Sequence, residues 1–193
     1  LVAGPIERSK NLLTQIYEKH EFDFQRAKDG ILLMIWGLFL KIVIADRIAI
    51  VIDTIYSHYS KYQGMYVIIA IVLFAFQVYC DFAGYSTIAS GAAKVMGFRL
   101  MENFKSPYMS MSVTEFWKRW HISLSSWVKD YLYIPLGGSK KGRIRKYINI
   151  MIIFFVNGLW HGAQWTYVVW GLVHGMLQVM EDVLKKPKEW LAH

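Results

Sequence analysis

Two histidines, His161 and His121, lie in apolar or aromatic surroundings and are candidate catalytic residues. His161 lies in Asn157-Gly158-Leu159-Trp160-His161-Gly162, and the neighbouring stretches Tyr147–Val156 and Gln164–Met180 contain no charged residue. An ionisable side chain inside a membrane span is by default a functional-site hypothesis. Because an imidazole titrates near neutral pH, His161 could remove the proton of a hydroxyl as that hydroxyl attacks a carbonyl carbon. A core histidine bonded to a neighbouring helix is the structural alternative.

Three further side chains are candidates for holding a substrate. Asn157 precedes His161 by one helical turn, so it could orient the imidazole or stabilise a developing oxyanion. His121 has Trp117 one turn before it and Trp120 beside it, an aromatic setting against which a donor group could pack. A histidine that only packs helices together is an equal alternative for His121.

Other catalytic patterns are missing from the sequence. It contains no serine nucleophile elbow, no phosphate-binding glycine loop and no metal-ligand spacing, and Cys80 is the single cysteine. The sequence therefore predicts no metal site and no bound cofactor, and argues against a hydrolase, kinase or metalloenzyme of the soluble type.

The composition predicts an integral membrane protein. Hydrophobic residues make up 55% of the 193 residues and aromatic residues 16%, above the share of about 45–50% apolar residues usual in soluble domains. Spans need about 20 largely apolar residues. The apolar stretches predict four crossings, at residues 31–52, 65–95, 147–162 and 163–181. We therefore expect an all-α, multi-span protein of the plasma or inner membrane. The first residue is not methionine, and we expect further spans to precede it.

The positive charge lies in one segment. Lys94–Lys146 holds 11 Lys and Arg residues against 3 acidic ones, while the rest of the chain holds 11 of each sign. Because cytoplasmic loops collect Lys and Arg, this basic segment should face the cytoplasm. The crossings then place His121 on the inner side and His161 at the outer end of the third span. The charge serves topology alone, or it also binds an anionic donor.

Within the basic segment, the sequence predicts one amphipathic helix. Ser112 and Glu115 fit a capping box. Apolar residues then recur at helical spacing as far as Val128, with His121 inside the helix. Such a helix lies in the membrane interface, or it enters a protein-lined cavity as a re-entrant element. In the second span, we expect Asp81 to pair with an arginine or histidine of another helix, and the glycines and alanines to allow close helix packing.

Four ordered motifs give the chain a resemblance to a known family. It resembles the membrane-bound O-acyltransferase (MBOAT) family, in the bacterial branch of alginate O-acetylation proteins, and it looks like a single partial domain over residues 1–193. The motifs are Ala3-Gly4-Pro5-Ile6-Glu7-Arg8, Gln77–Ser86, Glu115–Ser125 continued in Asp130–Gly138, and Gly158-Leu159-Trp160-His161-Gly162.

The resemblance implies an activity and partners. It implies that His161 matches the family's catalytic histidine and His121 a second, donor-side position. It further implies transfer of an acyl group from a cytoplasmic thioester, either acetyl-CoA or a carrier-bound acyl group, for O-acetylation of a cell-surface or exported polysaccharide. The implied partners are the lipid bilayer, the polysaccharide acceptor and an extracytoplasmic SGNH-type transferase or esterase, with no nucleic acid. The alternatives are D-alanyl transfer to teichoic acid and a non-enzymatic transporter that uses His161 and Asp81 as a proton path.

Overall fold

The computed structural model describes residues 4–190, with side chains as far as Lys185, and this part of the chain is helical. It divides into two compact units, one ending at Asn103 and the other beginning at Phe104. The prediction of an all-α fold is confirmed for the described residues. The α-helices are α1 (Ser9–Tyr17), α2 (Phe24–Leu38), α3 (Asp46–Ser57), α4 (Met65–Met96), α5 (Val113–Arg119), α6 (Ile122–Val128), α7 (Arg143–His161) and α8 (Trp165–Trp190).

The first unit is built on two long helical runs. A π-helical segment, Phe39–Ala45, joins α2 to α3, so helical structure continues from Phe24 to Ser57 and contains the predicted span 31–52. Helix α4 matches the predicted span 65–95 closely. Gly64 precedes α4 with a φ of 59°, a left-handed value that favours glycine.

Glycines bring α2 and α4 into backbone contact. A Cβ built on Gly91 would lie 2.5 Å from the carbonyl oxygen of Gly30, and one on Gly84 would lie 2.7 Å from that of Gly37. Any larger side chain at these crossings would have to push the helices apart. The predicted small-residue face of the second span is therefore confirmed at Gly84 and Gly91. Gly97 ends α4 with a φ of 97° and takes no part in this packing.

Helix α4 is the one helix among the described residues that is long and apolar enough to cross a membrane. It has 32 residues, and its most apolar window has a mean hydropathy of 2.1. Most of that window is exposed, since 22% of it is buried. An apolar helix with so much uncovered surface is suited to a lipid or protein environment rather than to water.

The partner of Asp81 is a lysine, which corrects the prediction of an arginine or histidine. The Lys41 amine lies 2.6 Å from a carboxylate oxygen of Asp81 on α4 and 2.9 Å from one of Asp46. The π-helical segment carries Lys41, and π-helical turns shift side chains relative to a regular α-helix. Periodicity counted on an α-helix therefore gave no reason to pair Lys41 with Asp81.

In the second unit, the predicted amphipathic helix is broken at Trp120 and His121, which corrects the expectation of one continuous helix. Helix α5 ends at Arg119 and α6 begins at Ile122. The break is held by an antiparallel bridge between Trp120 and Phe104, next to a hydrogen bond from the Lys105 amide to the Arg119 carbonyl. Pairing with this extended strand competes with helical bonding, and the pattern of apolar residues does not reveal it.

The start of α5 follows the predicted capping box in part. The Ser112 hydroxyl accepts a hydrogen bond of 3.0 Å from the Glu115 amide. The Glu115 carboxylate reaches back to the Met111 amide at 2.9 Å. It therefore satisfies the donor one residue before the expected one, and this bond helps to lower the Glu115 pKa below its ordinary value.

Helices α7 and α8 form an antiparallel pair joined by Gly162–Gln164. A Cβ on Gly171 would lie 2.3 Å from the Phe154 carbonyl oxygen, and one on Gly158 would lie 2.5 Å from the Tyr167 carbonyl oxygen. The two helices cover the apolar stretches 147–162 and 163–181 and pack closely against each other. At the other end of the pair, the Lys146 amine lies 2.7 Å from the Asp182 carboxylate.

Candidate functional site

His161 is the last residue of α7, and the next residue, Gly162, begins the turn into α8. The position is exposed in the described structure rather than enclosed. Its imidazole contacts two rings of α8, Trp170 at a centroid distance of 5.3 Å and Tyr167 at 6.4 Å. The close α7–α8 packing at Gly158 and Gly171 brings these rings within reach of His161.

His121 occupies a backbone conformation that side chains seldom adopt. Its φ of 44° and ψ of 55° are left-handed, and it shares a positive φ with only one other non-glycine residue, Ser106, in the described chain. Residues held in this conformation are strained and cluster at functional sites. This left-handed conformation changes the direction of the chain between α5 and α6. The His121 side chain therefore points in a different direction from the one it would have in a continuous helix.

The two histidines influence each other. Burial lowers the pKa of His121 to about 4, and repulsion from a charged His161 contributes to the shift. His121 is therefore neutral at physiological pH. The structure places both candidate histidines in the second unit, close enough for an electrostatic interaction.

A third histidine, His174, lies among the same aromatic rings. Its imidazole is 4.9 Å from the Trp170 ring, 5.2 Å from the Trp117 ring and 6.5 Å from the Phe154 ring, measured between centroids. Its helical spacing from Trp170 was visible, but its contact with Trp117 depends on the packing of α5 against α8.

A cavity of about 550 Å³ adjoins this aromatic cluster within the second unit. On α7 its lining runs from Lys146 to Asn157, a distance of about 16 Å at the rise of an α-helix. The predicted substrate-binding residues Trp117 and Asn157 both line it, whereas Trp120, His121 and His161 do not. The charged or amide-bearing residues of the lining are Lys118, Lys129, Lys146, Asn157, Gln178 and Asp182.

Trp120 belongs to a neighbouring aromatic group. Its ring stacks on Phe116 at 5.6 Å and meets Phe104 edge-on at 5.1 Å. It therefore packs the break before His121, and its predicted contact with substrate stays a prediction.

The turn after α6 is anchored to α7 by a buried amide. Asn149 is fully buried, and its Nδ2 donates to the carbonyl oxygens of Gly138 at 3.0 Å and Leu136 at 3.3 Å. Gly137 and Gly138 both have positive φ, at 101° and 54°, which favours glycine. Sequence reasoning missed Asn149. A polar residue in the apolar run 147–156 was the available signal.

Comparison with known proteins covers nearly the whole chain. A family model for the membrane-bound O-acyltransferase family matches residues 1–186. A Pseudomonas putida protein named "Probable alginate O-acetylase AlgI" is 45% identical over 95% of this chain and 38% of its own length. A Helicobacter pylori protein named "Peptidoglycan O-acetyltransferase" is 36% identical over 91% of this chain and 34% of its own. The "Teichoic acid D-alanyltransferase" of Bacillus subtilis is 33% identical over 58% of this chain and 30% of its own.

The chain belongs to the membrane-bound O-acyltransferase family. It spans little more than a third of the length of the curated relatives that it matches.

Proposed function

We propose that this chain forms the acyl-transfer part of a membrane O-acetyltransferase that modifies an exported or cell-surface polysaccharide. The supporting observation is the similarity to O-acetylating relatives over more than nine-tenths of the chain, which includes both candidate histidines. The second unit, which carries these histidines, also contains a cavity lined by Trp117 and Asn157.

In the proposed reaction, an acetyl group passes from a sulfur to an oxygen. An acceptor hydroxyl attacks the thioester carbonyl carbon while the His161 imidazole takes the hydroxyl proton. The carbon–sulfur bond then breaks, and the departing thiolate receives that proton. Neutral His121 helps to position the donor, and the Asn157 amide stabilises the developing oxyanion. The thioester is acetyl-CoA or a carrier-bound acetyl group, and the protein itself needs no metal or bound cofactor.

The proposed topology has four crossings with the basic segment in the cytoplasm. The helical run Phe24–Ser57 and helices α4, α7 and α8 would make the crossings. Lys118 and Lys129 both line the cavity. Such lysines suit an anionic donor that arrives from the cytoplasmic side. The acceptor, with an SGNH-type partner, would meet His161 at the outer side.

D-alanyl transfer to teichoic acid is the second candidate, since relatives with that name share 32–33% identity with this chain. These matches cover 58–61% of the chain, against 91–96% for the O-acetylating relatives. The difference in coverage favours acetyl transfer.

The test is acetyl transfer by the protein expressed from its complete gene and placed in lipid vesicles. Acetyl-CoA labelled in the acetyl group is supplied with an oligosaccharide acceptor, with and without the SGNH-type protein. Wild type should label the acceptor, and His161→Gln should lower the rate by about 100- to 10,000-fold at equal protein amount, the usual effect of losing a general base. Wild-type rates in His161→Gln would show that the assigned mechanism is wrong. A D-alanyl carrier protein used in place of acetyl-CoA tests the second candidate.

A further inference from the structure

Trp117 is a side chain of the cavity lining that also contacts the rings around His161. The cavity is lined by Trp117 but not by His161. Outside the cavity, the Trp117 indole contacts the Trp170 ring at a centroid distance of 6.0 Å. The Trp170 ring in turn contacts the His161 imidazole at a centroid distance of 5.3 Å. A group that moves from the cavity towards Trp170 and His161 therefore meets the Trp117 ring.

The surroundings of Trp117 form an aromatic wall. Besides Trp170, its indole contacts His174 at 5.2 Å and Phe154 at 5.2 Å, in both cases edge to face. Phe154 is held between α7 and α8 where Gly171 and Gly175 approach it closely, so it has little room to move. Trp117 lies on the short helix α5, which has 7 residues, and is the wall residue best placed to move.

No hydrogen bond holds the indole in this position. The Trp117 Nε1 atom is buried and has no acceptor within the described part of the chain. A buried donor without a partner is unfavourable, and buried tryptophans usually find one. The indole is therefore held against its neighbours by packing and by no hydrogen bond of its own. If the ring moved, its Nε1 could donate a hydrogen bond to a carbonyl oxygen of a ligand in the cavity.

We infer that Trp117 separates the donor cavity from His161 and restricts transfer to short acyl groups. This inference rests on the proposed acyl transfer and adds a residue that sets its specificity. The cavity can take the long polar arm of a thioester, whose amides match Asn157 and Gln178. A longer acyl chain would have to displace the indole from three ring contacts at once.

Acyl-length preference tests the inference in the complete protein. Transfer from acetyl-, butanoyl- and octanoyl-CoA is compared for wild type, Trp117→Ala and Trp117→Phe. We expect Trp117→Ala to raise the ratio of butanoyl to acetyl transfer at least tenfold, because it opens the wall. Trp117→Phe keeps a ring and should preserve the wild-type ratio. Trp127→Ala is the matched control, since Trp127 stacks on Tyr131 away from the cavity.

A second measurement does not depend on activity. Single cysteines at position 174, which is part of the wall and outside the cavity lining, and position 178, in the cavity lining, are introduced by His174→Cys and Gln178→Cys in a Cys80→Ser background. A maleimide added from the cytoplasmic side should label position 178 readily in every protein. Position 174 should label at least tenfold faster when Trp117→Leu is added. Trp117→Leu retains more packing than Trp117→Ala, so it serves where the smaller residue prevents folding.

The outcomes separate this inference from the proposed function. An unchanged acyl-length ratio in Trp117→Ala, or equal labelling of position 174 with and without Trp117→Leu, would overturn the role of Trp117. Absence of transfer from every thioester in wild type, together with faster labelling of position 174, would refute acyl transfer and leave the barrier standing.

Discussion

The Lys41 amine lies 2.6 Å from the Asp81 carboxylate and links the π-helical segment to α4 in the middle of two apolar helical runs. A second carboxylate, that of Asp46, lies 2.9 Å from the same amine. One lysine therefore neutralises part of two acidic charges. Without it, two half-exposed carboxylates on apolar helical runs would have no cation beside them, which is unfavourable.

This arrangement predicts an order of effects on stability. Lys41→Met leaves two carboxylates without a cation and should lower the free energy of unfolding more than Asp81→Asn, which leaves the Lys41–Asp46 pair. Removing a partner from a buried pair costs about 3–5 kcal/mol. These side chains are about 40% exposed, so we expect about 1–3 kcal/mol. Thermal unfolding of the detergent-solubilised complete protein measures the loss of stability in each variant, with Asp53→Asn as the exposed control. Equal losses from both variants would contradict the shared-cation interpretation.

The left-handed conformation of His121 allows its backbone and side-chain roles to be separated. Glycine adopts this conformation without strain, so His121→Gly should fold at least as readily at the turn as His121→Ala. Both variants remove the imidazole, and both should impair acetyl transfer. We expect His121→Gly to have a thermal midpoint above that of His121→Ala, while their transfer rates are equally low. Recovery of transfer in His121→Gly would show that His121 acts only through its backbone.

The depressed pKa of His121 predicts how stability depends on pH. In the unfolded chain the imidazole binds a proton below its ordinary pKa of 6.5, whereas in the folded protein it does so below about 4. The unfolded state binds more protons between these values, so the folded state loses stability as pH falls from 6.5 towards 4. His121→Gln lacks this group.

Relative to His121→Gln, wild type should therefore lose about 1–3 kcal/mol of stability over that pH range. Thermal midpoints of both proteins, measured at intervals between pH 7.5 and 4, test the prediction. A difference between the two proteins that does not change with pH would mean that His121 is solvated in the folded state.

Close helix packing in the second unit makes Gly171 intolerant of a side chain. The added methyl group of Gly171→Ala would lie 2.3 Å from the Phe154 carbonyl oxygen, so α8 would have to move away from α7. Overpacking of this kind costs about 1–3 kcal/mol. We expect a lower thermal midpoint and weaker acetyl transfer, because Trp170 would move relative to His161. The control is Val173→Ala, at an exposed position of α8. Wild-type behaviour of Gly171→Ala would show that the helices are further apart than described.

Local signals in the sequence predicted the parts of the fold that local physics determines. The apolar run of α4 and the capping serine of α5 each depend on neighbouring residues, and the structure contains both. The break at His121 depends on pairing between Trp120 and Phe104, which lie far apart in sequence.

In the candidate site, too, local patterns predicted some residues, whereas contacts between helices could not be predicted. Trp117 and Asn157 were named from helical spacing to the two histidines, and both line the cavity. The contact of Trp117 with His174 requires α5 to pack on α8, which no spacing within either helix encodes. The partner of Asp81 was misjudged because a π-helical segment changes the direction of Lys41.

The last prediction concerns which ends of the helices face the cytoplasm. The basic turn before α7 and the connection between α3 and α4 should lie on opposite sides of the membrane, because the positive charge concentrates in Lys94–Lys146. Cysteines introduced by Lys141→Cys and Gln63→Cys, both at exposed positions, are compared in a Cys80→Ser background. In intact cells that express the complete protein, a membrane-impermeant maleimide should label position 63 at once and position 141 only after the membrane is opened. Labelling of both positions from the same side would rule out the four-crossing topology and, with it, the separation of the donor side from His161.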